Sequence, residues 1–535
     1  MNFNWTNPYP TLRSPLFARN VVATSQPLAA QAGLSLLRAG GNAVDAAIAT
    51  AAAMTVVEPV SNGLGSDNFA IVWDGSQLLG LNASGVSPAA WTPAYFRKKH
   101  GGTMPMRGWD SVSVPGAVAG WVALSRRLGK LPFAQLLQPA IELAERGYGV
   151  GVVTADKWQR QIALLQDQPG FAQAFMPRGR APAPGERFTF AEAARTLRLI
   201  AQTQGQAFYE GEVAEKLAAH AAANGGAMVL SDLANYRAEW VTPIAKNFCG
   251  HTVHEIPPNG QGIAALLAMG MLEHTAYRDH AVDSLMSQHL QIEAMKLAFA
   301  DTYRWVADER YMTEVTAADL LSDAYLAERA KLIRTDRAGD HGHGRPPSGG
   351  TIYLSAADES GMMVSLIQSN YMGFGSGVVV PGTGVSLQNR GHGFTLQDGH
   401  PNQVAPGKRP FQTIIPAFLT KDGQPVMSFG VMGGNMQPQG HLQTLVRMLA
   451  HGQQPQAACD APRWKVATGL QIDCEHTMAP ALQQGLRELG HDLVPTPDAY
   501  MDYGSGQFIA RLTDDREDGY VAASDSRREG QAVGY

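Results

Sequence analysis

Residues 351–369 read as a β-hairpin, and its turn chemistry constrains the fold more tightly than any other stretch. One strand is expected over 351–358 and the next over 362–369. Glu359, Ser360 and Gly361 join them, with Gly where a left-handed residue is needed. That loop pairs Asp358 with Met362. The same register sets Thr351 opposite Ser369, where cross-strand side chains lie about 5 Å apart. Two hydroxyls therefore meet at one end of the hairpin. The preceding run, 338–350, is rich in Gly, His and Pro and is expected to be a flexible, solvent-exposed loop.

A mobile loop that enters a strand at Thr suggests a nucleophile made by cutting the chain between Gly350 and Thr351. A threonine hydroxyl is weak on its own and needs an adjacent base. The cut would give Thr351 a free α-amine, with a pKa of about 7.7–8.0, so part of it is neutral near pH 7. One residue then supplies nucleophile and general base. The competing explanation is an ordinary edge hairpin that happens to begin with Thr.

The remaining chain is long enough for a large core or for two parts sharing one: 535 residues, 45% hydrophobic and 17% charged. A net charge of −5 points to neither nucleic acid nor an anionic membrane as partner. No window approaches the roughly 18 uninterrupted apolar residues of a membrane span. Residues 1–17 carry no apolar signal-like core. Cys249, Cys459 and Cys474 are odd in number and widely spaced, which fits free thiols in a reducing compartment. A cytoplasmic protein is expected.

Helices are expected over 27–38, with Ser25 as cap and Gly40-Gly41 as stop, and over 43–56, capped by Asn42. The second is nearly all small and apolar, so it should be buried on every side. Residues 69–82 alternate toward a strand pair. Further helices are expected over 132–146, 191–202, 282–303 and 440–450, and short strands over 416–419 and 426–429. Strands flanked by helices on both sides fit a layered α+β arrangement.

Other constellations are weaker. His341 and His343 flank a glycine with no nearby cysteine or carboxylate cluster, and solvated side chains explain them better than a metal. No metal and no cofactor are expected. Asn259-Gly260-Gln261-Gly262 lacks the Lys-Ser/Thr of a phosphate loop and reads as a helix entry turn. Gly433-Gly434 follows an apolar strand. Paired glycines there can form a tight turn, or they can let backbone N–H groups converge on a ligand oxygen.

Several blocks in order carry a resemblance over nearly the whole length. They are Gly40-Gly41-Asn42-Ala43-Val44-Asp45-Ala46-Ala47, Val57-Glu58-Pro59 with Gly63-Leu64-Gly65, and Ser113-Val114-Pro115-Gly116-Ala117-Val118-Ala119-Gly120. Glu293-Ala294-Met295-Lys296-Leu297-Ala298-Phe299-Ala300-Asp301, the Thr351 hairpin, Gly433-Gly434 and Asp460-Ala461-Pro462-Arg463 complete them. The chain resembles the γ-glutamyltransferase family of N-terminal-nucleophile hydrolases. The resemblance implies an αββα sandwich made by a precursor that cuts itself into a large subunit, 1–350, and a small one, 351–535. It also implies Thr351 as nucleophile, Ser369 where the family carries Thr, and Gly433 and Gly434 as the oxyanion hole. Self-association of the two processed subunits, up to a dimer of heterodimers, is the expected partnership.

The chain departs from that family where the family grips a charged amino-acid head. The family's early Arg, which clamps an α-carboxylate, falls at Ser84. Its Asn after the second hairpin strand is Tyr371, its amino-group Asp is Gly393, and its paired serines are Gln412 and Thr413. A Gln or Glu that also faces the amino group becomes Arg390, whose guanidinium would repel an ammonium. The departures imply a small amide substrate with a carboxylate and no α-amino group. Arg390 would bind the carboxylate. Tyr371 and Phe374 would narrow the site, and Asn389, Gln412 and Thr413 would line it. Within the family, the oxamate amidohydrolases, which act late in the use of purine-derived nitrogen, look most similar. A γ-glutamyl hydrolase or transferase, a glutaryl-type acylase and a non-catalytic relative are the alternatives.

Overall fold

The computed structural model describes residue 9 and residues 13–341, 350–496, 503–512 and 519–535. Most of the loop expected before Thr351, His343 included, lies outside the described residues. Two seven-stranded sheets stack face to face. The first runs, in spatial order, β1 (Leu16–Ala18), β13 (Tyr520–Ser524), β12 (Ser505–Arg511), β11 (Gln424–Met432), β10 (Ala417–Lys421), β7 (His251–Glu255) and β6 (Ile244–Phe248). The second runs β14 (Gln531–Gly534), β2 (Val21–Thr24), β8 (Gly350–Ala357), β9 (Met363–Tyr371), β3 (Asp67–Trp73), β4 (Leu78–Ala83) and β5 (Glu239–Val241). Each sheet takes strands from both sides of the Gly350–Thr351 bond.

Strand alternation separates the layers. On the second sheet Phe69, Ile71, Tyr353 and Ile367 face the other sheet and form the core between them. Ala70, Val72, Leu354 and Leu366 face the opposite way, into a helical layer. That layer contains α1 (Pro27–Arg38), α2 (Ala43–Val57), α3 (Ala117–Leu128) and α4 (Phe133–Arg146). The far side of the first sheet is covered by α5 (Gly262–Leu272), α6 (Leu285–Trp305) and α7 (Met436–Leu445). The result is the α+β, αββα sandwich of N-terminal-nucleophile hydrolases. Among the described residues no helix is long and apolar enough to cross a membrane.

Helix α2 is buried along its full length, as its composition demands. Asn42 Oδ1 accepts from Asp45 N, and Asp45 Oδ2 accepts from Asn42 N, both at 3.0 Å, which closes a capping box. The cap of α1 differs from expectation. Gln26 Oε1 accepts from Leu28 N at 2.7 Å, while Ser25 donates to the buried Glu58 Oε2 at 2.7 Å. The last expected helix starts four residues early and ends in a π-helical turn, Val446–Ala450.

Candidate active site

The hairpin places the proposed nucleophile. Asp358 N donates to Met362 O at 3.1 Å, and Gly361 has φ +90. The β8–β9 register runs from Ala357 opposite Met363 to Ile352 opposite Gln368. It then slips by one, so that Gly350 faces Tyr371 and Thr351 sits in the irregularity. The slip has a local cause. Ser369 Oγ accepts the Tyr371 N–H at 2.7 Å, and Tyr371 adopts φ +76. Thr351 Oγ1 still lies 3.3 Å from Ser369 Oγ. Both residues are buried, on the face that looks across to the first sheet.

Ser369→Ala removes both the hydroxyl facing Thr351 and the acceptor that shapes the Tyr371 turn. We expect slower self-cleavage or turnover, by the roughly 1–3 kcal/mol of a lost buried partner. Time courses of intact mass and of turnover check this; rates equal to wild type would remove Ser369 from the machinery.

The facing strand carries the glycine pair. Ser355 Oγ bonds to Ser428 Oγ across the sandwich, and the Tyr353 ring packs on Gly430, where a Cβ would come within 2.5 Å. Each two-residue step along β8 is matched by a two-residue step along β11. One further step of the same kind would set Thr351 level with Met432, which precedes Gly433 and Gly434 in the chain. These have φ +126 and +60, and a Cβ on Gly433 would lie 2.9 Å from the Gly504 Cα. Only glycine meets both demands. Gly433→Ala should therefore displace the backbone donors and lower kcat at least tenfold, against the roughly 2.7–4 kcal/mol ascribed to one oxyanion donor. A kcat unchanged in correctly cleaved protein would exclude the oxyanion role.

Arg390 is wholly buried at the same end. Its Nε donates to Asp67 Oδ2 at 3.1 Å and its Nη1 to Thr413 Oγ1 at 2.8 Å. Its Cζ stands 4.2 Å over the centre of the Tyr371 ring, a cation–π contact. Nη2 has no partner among the described residues. Asp67 Oδ2 also accepts from Gln412 Nε2 at 2.8 Å, and Oδ1 from Gly85 N at 3.0 Å. Burial pushes the Asp67 carboxyl up and the Arg390 guanidinium down, and their mutual attraction opposes both shifts. Burial also pushes the Tyr371 phenol up to about 12, so it stays protonated. Gln261 closes the ring of contacts, donating from Nε2 to Thr413 O at 2.7 Å and to Gly434 O at 2.9 Å.

The structure thus brings Thr351, Ser369, Tyr371, Arg390, Gln412, Thr413 and Gly434 into one connected cluster. Asn389 stands at its edge with both ends of its amide committed. Oδ1 accepts from Met372 N at 3.1 Å and Nδ2 donates to Met106 O at 2.9 Å, so it ties loops together. Phe374 does not narrow the site. Its ring lies in the helical-side core, 4.6 Å from the Phe175 ring and 5.1 Å from that of Phe171. Apolar burial outweighs proximity along the chain. Ser84 donates to Asn82 Oδ1 at 2.7 Å, inside a buried polar group that includes Asn259. A Cβ at Gly393 would come within 2.8 Å of Phe411 O, so the family's Asp would not fit there unshifted. The expected helix entry turn is observed, with Gln261 leading into α5.

Asp67 was not singled out from the sequence, and Gln261 was read only as part of the helix entry turn. Asp67 had an available signal: it begins a strand that pairs with β9, where it lies directly opposite Ser369. Away from this site, His289, Glu293 and His491 converge, with His289 Nδ1 2.8 Å from His491 Nε2. Lys296 Nζ reaches Glu293 Oε1 at 2.8 Å and His491 Nδ1 at 3.2 Å, placing an ammonium against the group a metal would need. His341 joins it through Glu293 Oε2 at 3.3 Å.

Comparison with known proteins agrees with this architecture. The family model for gamma-glutamyltranspeptidase matches residues 29–535. The chain is 35% identical to the glutathione hydrolase-like YwrD proenzyme of Bacillus subtilis, over 98% of this chain and 99% of that one. It is 37% identical to the oxamate amidohydrolase proenzyme of Klebsiella pneumoniae, over 95% and 97%. A cephalosporin acylase from Bacillus halodurans superposes with a TM-score of 0.93 at 45% identity, over 100% of this chain and 99% of that one. A match to the family model along nearly the whole chain, joined to the sandwich and the placement of its hairpin, makes this protein a member of the gamma-glutamyltranspeptidase family of amide-hydrolysing enzymes.

Proposed function

We propose that the protein is a self-processing amidohydrolase with an N-terminal threonine nucleophile, acting on a small amide that carries a carboxylate. Oxamate, hydrolysed to oxalate and ammonia, is the substrate we favour. The observation that carries this reading is Arg390: a buried guanidinium beside the nucleophile strand, with one nitrogen left unpartnered among the described residues. An unmet buried donor next to a hydrolytic centre suits an anionic substrate group. The similarity to a protein named oxamate amidohydrolase supports it.

In the uncut chain Thr351 is 2% exposed and Arg390 not at all, so substrate entry would follow the cut. Processing begins when the Thr351 hydroxyl attacks the Gly350 carbonyl; the amide becomes an ester, and water releases the two chains. In turnover the Thr351 amine takes the hydroxyl proton as Oγ1 bonds to the amide carbon. The Gly433 and Gly434 N–H groups hold the oxyanion. The C–N bond then breaks, and ammonia leaves with the proton returned by the amine. Water hydrolyses the acyl-threonine ester and restores the hydroxyl. The chemistry asks for no metal or cofactor. The two fragments stay associated, as heterodimers or pairs of them, and three free cysteines suit the cytoplasm.

A glutaryl-type acylase is the second reading, favoured by the likeness to the Bacillus halodurans cephalosporin acylase. Product analysis on oxamate, a glutaryl amide and a γ-glutamyl anilide, with intact mass measured in parallel, separates them. Turnover of the γ-glutamyl anilide alone would overturn the carboxylate-without-amine reading.

A further inference from the structure

Four antiparallel strands set one row of side chains at the nucleophile's end of the second sheet. Ser369 is paired with Asp67 across β9 and β3. The β3–β4 register ends with Asn68 opposite Ala83, so one further residue sets Ser84 beside Asp67. Thr351 adjoins Ser369 on the other side. An acid therefore occupies the row between the nucleophile's neighbour and the position where the chain lacks an early arginine. The only described cation it meets is Arg390, which arrives from a different loop.

The contacts of Asp67 define what that acid can do. Its two oxygens accept three donors: Gly85 N on one, Arg390 Nε and Gln412 Nε2 on the other. With three donors already held, Asp67 has only about one acceptor site left for an incoming ammonium. Its charge cancels that of Arg390 at contact distance. With Nε on Asp67 and Nη1 on Thr413, the guanidinium is fixed in its plane over Tyr371. Nη2 is the nitrogen left without a partner among the described residues.

We infer that Asp67 is a positioning residue that sets the substrate class of the Thr351 site. It converts Arg390 from a free cation into an oriented donor, so that the site takes one singly charged carboxylate on the Nη2 side. A zwitterionic amino-acid head is disfavoured because Asp67 already holds three donors and spends its charge on Arg390, leaving the ammonium no free counter-ion there. A dianion is disfavoured because Nη2 is the one Arg390 nitrogen left without a partner among the described residues, enough for a single carboxylate. The inference rests on the proposed amidohydrolase reading and sharpens it.

Asp67→Asn tests the positioning. A carboxylate uses both oxygens here as acceptors, and an amide has only one. Whichever way the introduced amide turns, its NH2 meets a donor, and the grip on Arg390 or on Gly85 fails. We expect KM for oxamate to rise at least tenfold, kcat to change less than threefold, and cleavage at Gly350–Thr351 to proceed. A merely structural role would lower yield and Tm without that split between KM and kcat. Thr413→Val loosens the other arm of Arg390 and should show the same split, which keeps the inference testable if Asp67→Asn does not fold. A wild-type KM for oxamate in either folded variant would overturn it. So would a loss confined to γ-glutamyl anilide turnover, which would make Asp67 an ammonium ligand. Failure of wild-type protein to hydrolyse any carboxylate-bearing amide would sink the amidohydrolase reading and this inference with it. Wild-type turnover with unchanged variants would sink the inference alone.

Discussion

Thr351→Ala should remain a single chain of 57.2 kDa and should lose amide hydrolysis altogether. Wild-type protein should resolve into fragments of 350 and 185 residues, the lengths set by a cut before Thr351 in a chain of 535. The argument is geometric as well as chemical. Thr351 is the residue at which the β8–β9 register breaks, between Ile352 opposite Gln368 and Gly350 opposite Tyr371. A methyl in place of the hydroxyl cannot attack the Gly350 carbonyl, and the uncut variant has neither nucleophile nor free amine at this position. Stability should change little, because the remaining strand keeps its pairing from Ile352 to Ala357. Intact mass and turnover on the same sample decide the matter. Clean cleavage of Thr351→Ala would place the cut, and the nucleophile, elsewhere.

Arg390→Gln should lower kcat/KM on carboxylate-bearing amides at least tenfold and leave self-cleavage intact. One charge-assisted pair is worth about 1.5–3 kcal/mol, and each 1.4 kcal/mol is about tenfold. The sequence points to the substrate's carboxylate as a counter-ion for Arg390. The structure supplies Asp67 as a permanent one. The substitution therefore carries a second cost: it strands a buried carboxylate, and breaking such a pair costs about 3–5 kcal/mol. Arg390→Gln alone should show a lower Tm, and the double variant Arg390→Gln/Asp67→Asn should regain part of it without regaining activity. An unchanged specificity constant on oxamate would remove Arg390 from the substrate site.

The hairpin, helix α2 and the strand pair β3–β4 were legible because their signals are local: a Gly-bearing three-residue loop, an Asn cap before an apolar run, and simple alternation. The meeting of Thr351 and Ser369 followed from counting back along that hairpin. Its one-residue slip did not, because the slip depends on the Ser369 side chain capturing Tyr371 N. The Arg390–Asp67 pair joins residues 323 positions apart, and no local pattern relates them. Phe374 shows the opposite failure. It lies three residues beyond Tyr371, yet an aromatic core invisible in the linear sequence captures its ring. Asn389 stands at the edge of the cluster, but its amide serves two backbone groups.

The distribution of strands between the two sheets has a consequence for how the protein is made. β2, near the start of the chain, is flanked by β8 and by β14, which ends one residue before the C-terminus. β1 pairs with β13, also from the last part to be synthesised. β1 and one edge of β2 must therefore wait unpaired until β13 and β14 have been made. An unpaired strand edge of this kind is the condition under which nascent chains recruit chaperones or aggregate. Deleting β14 should thus expose the edge of β2 first.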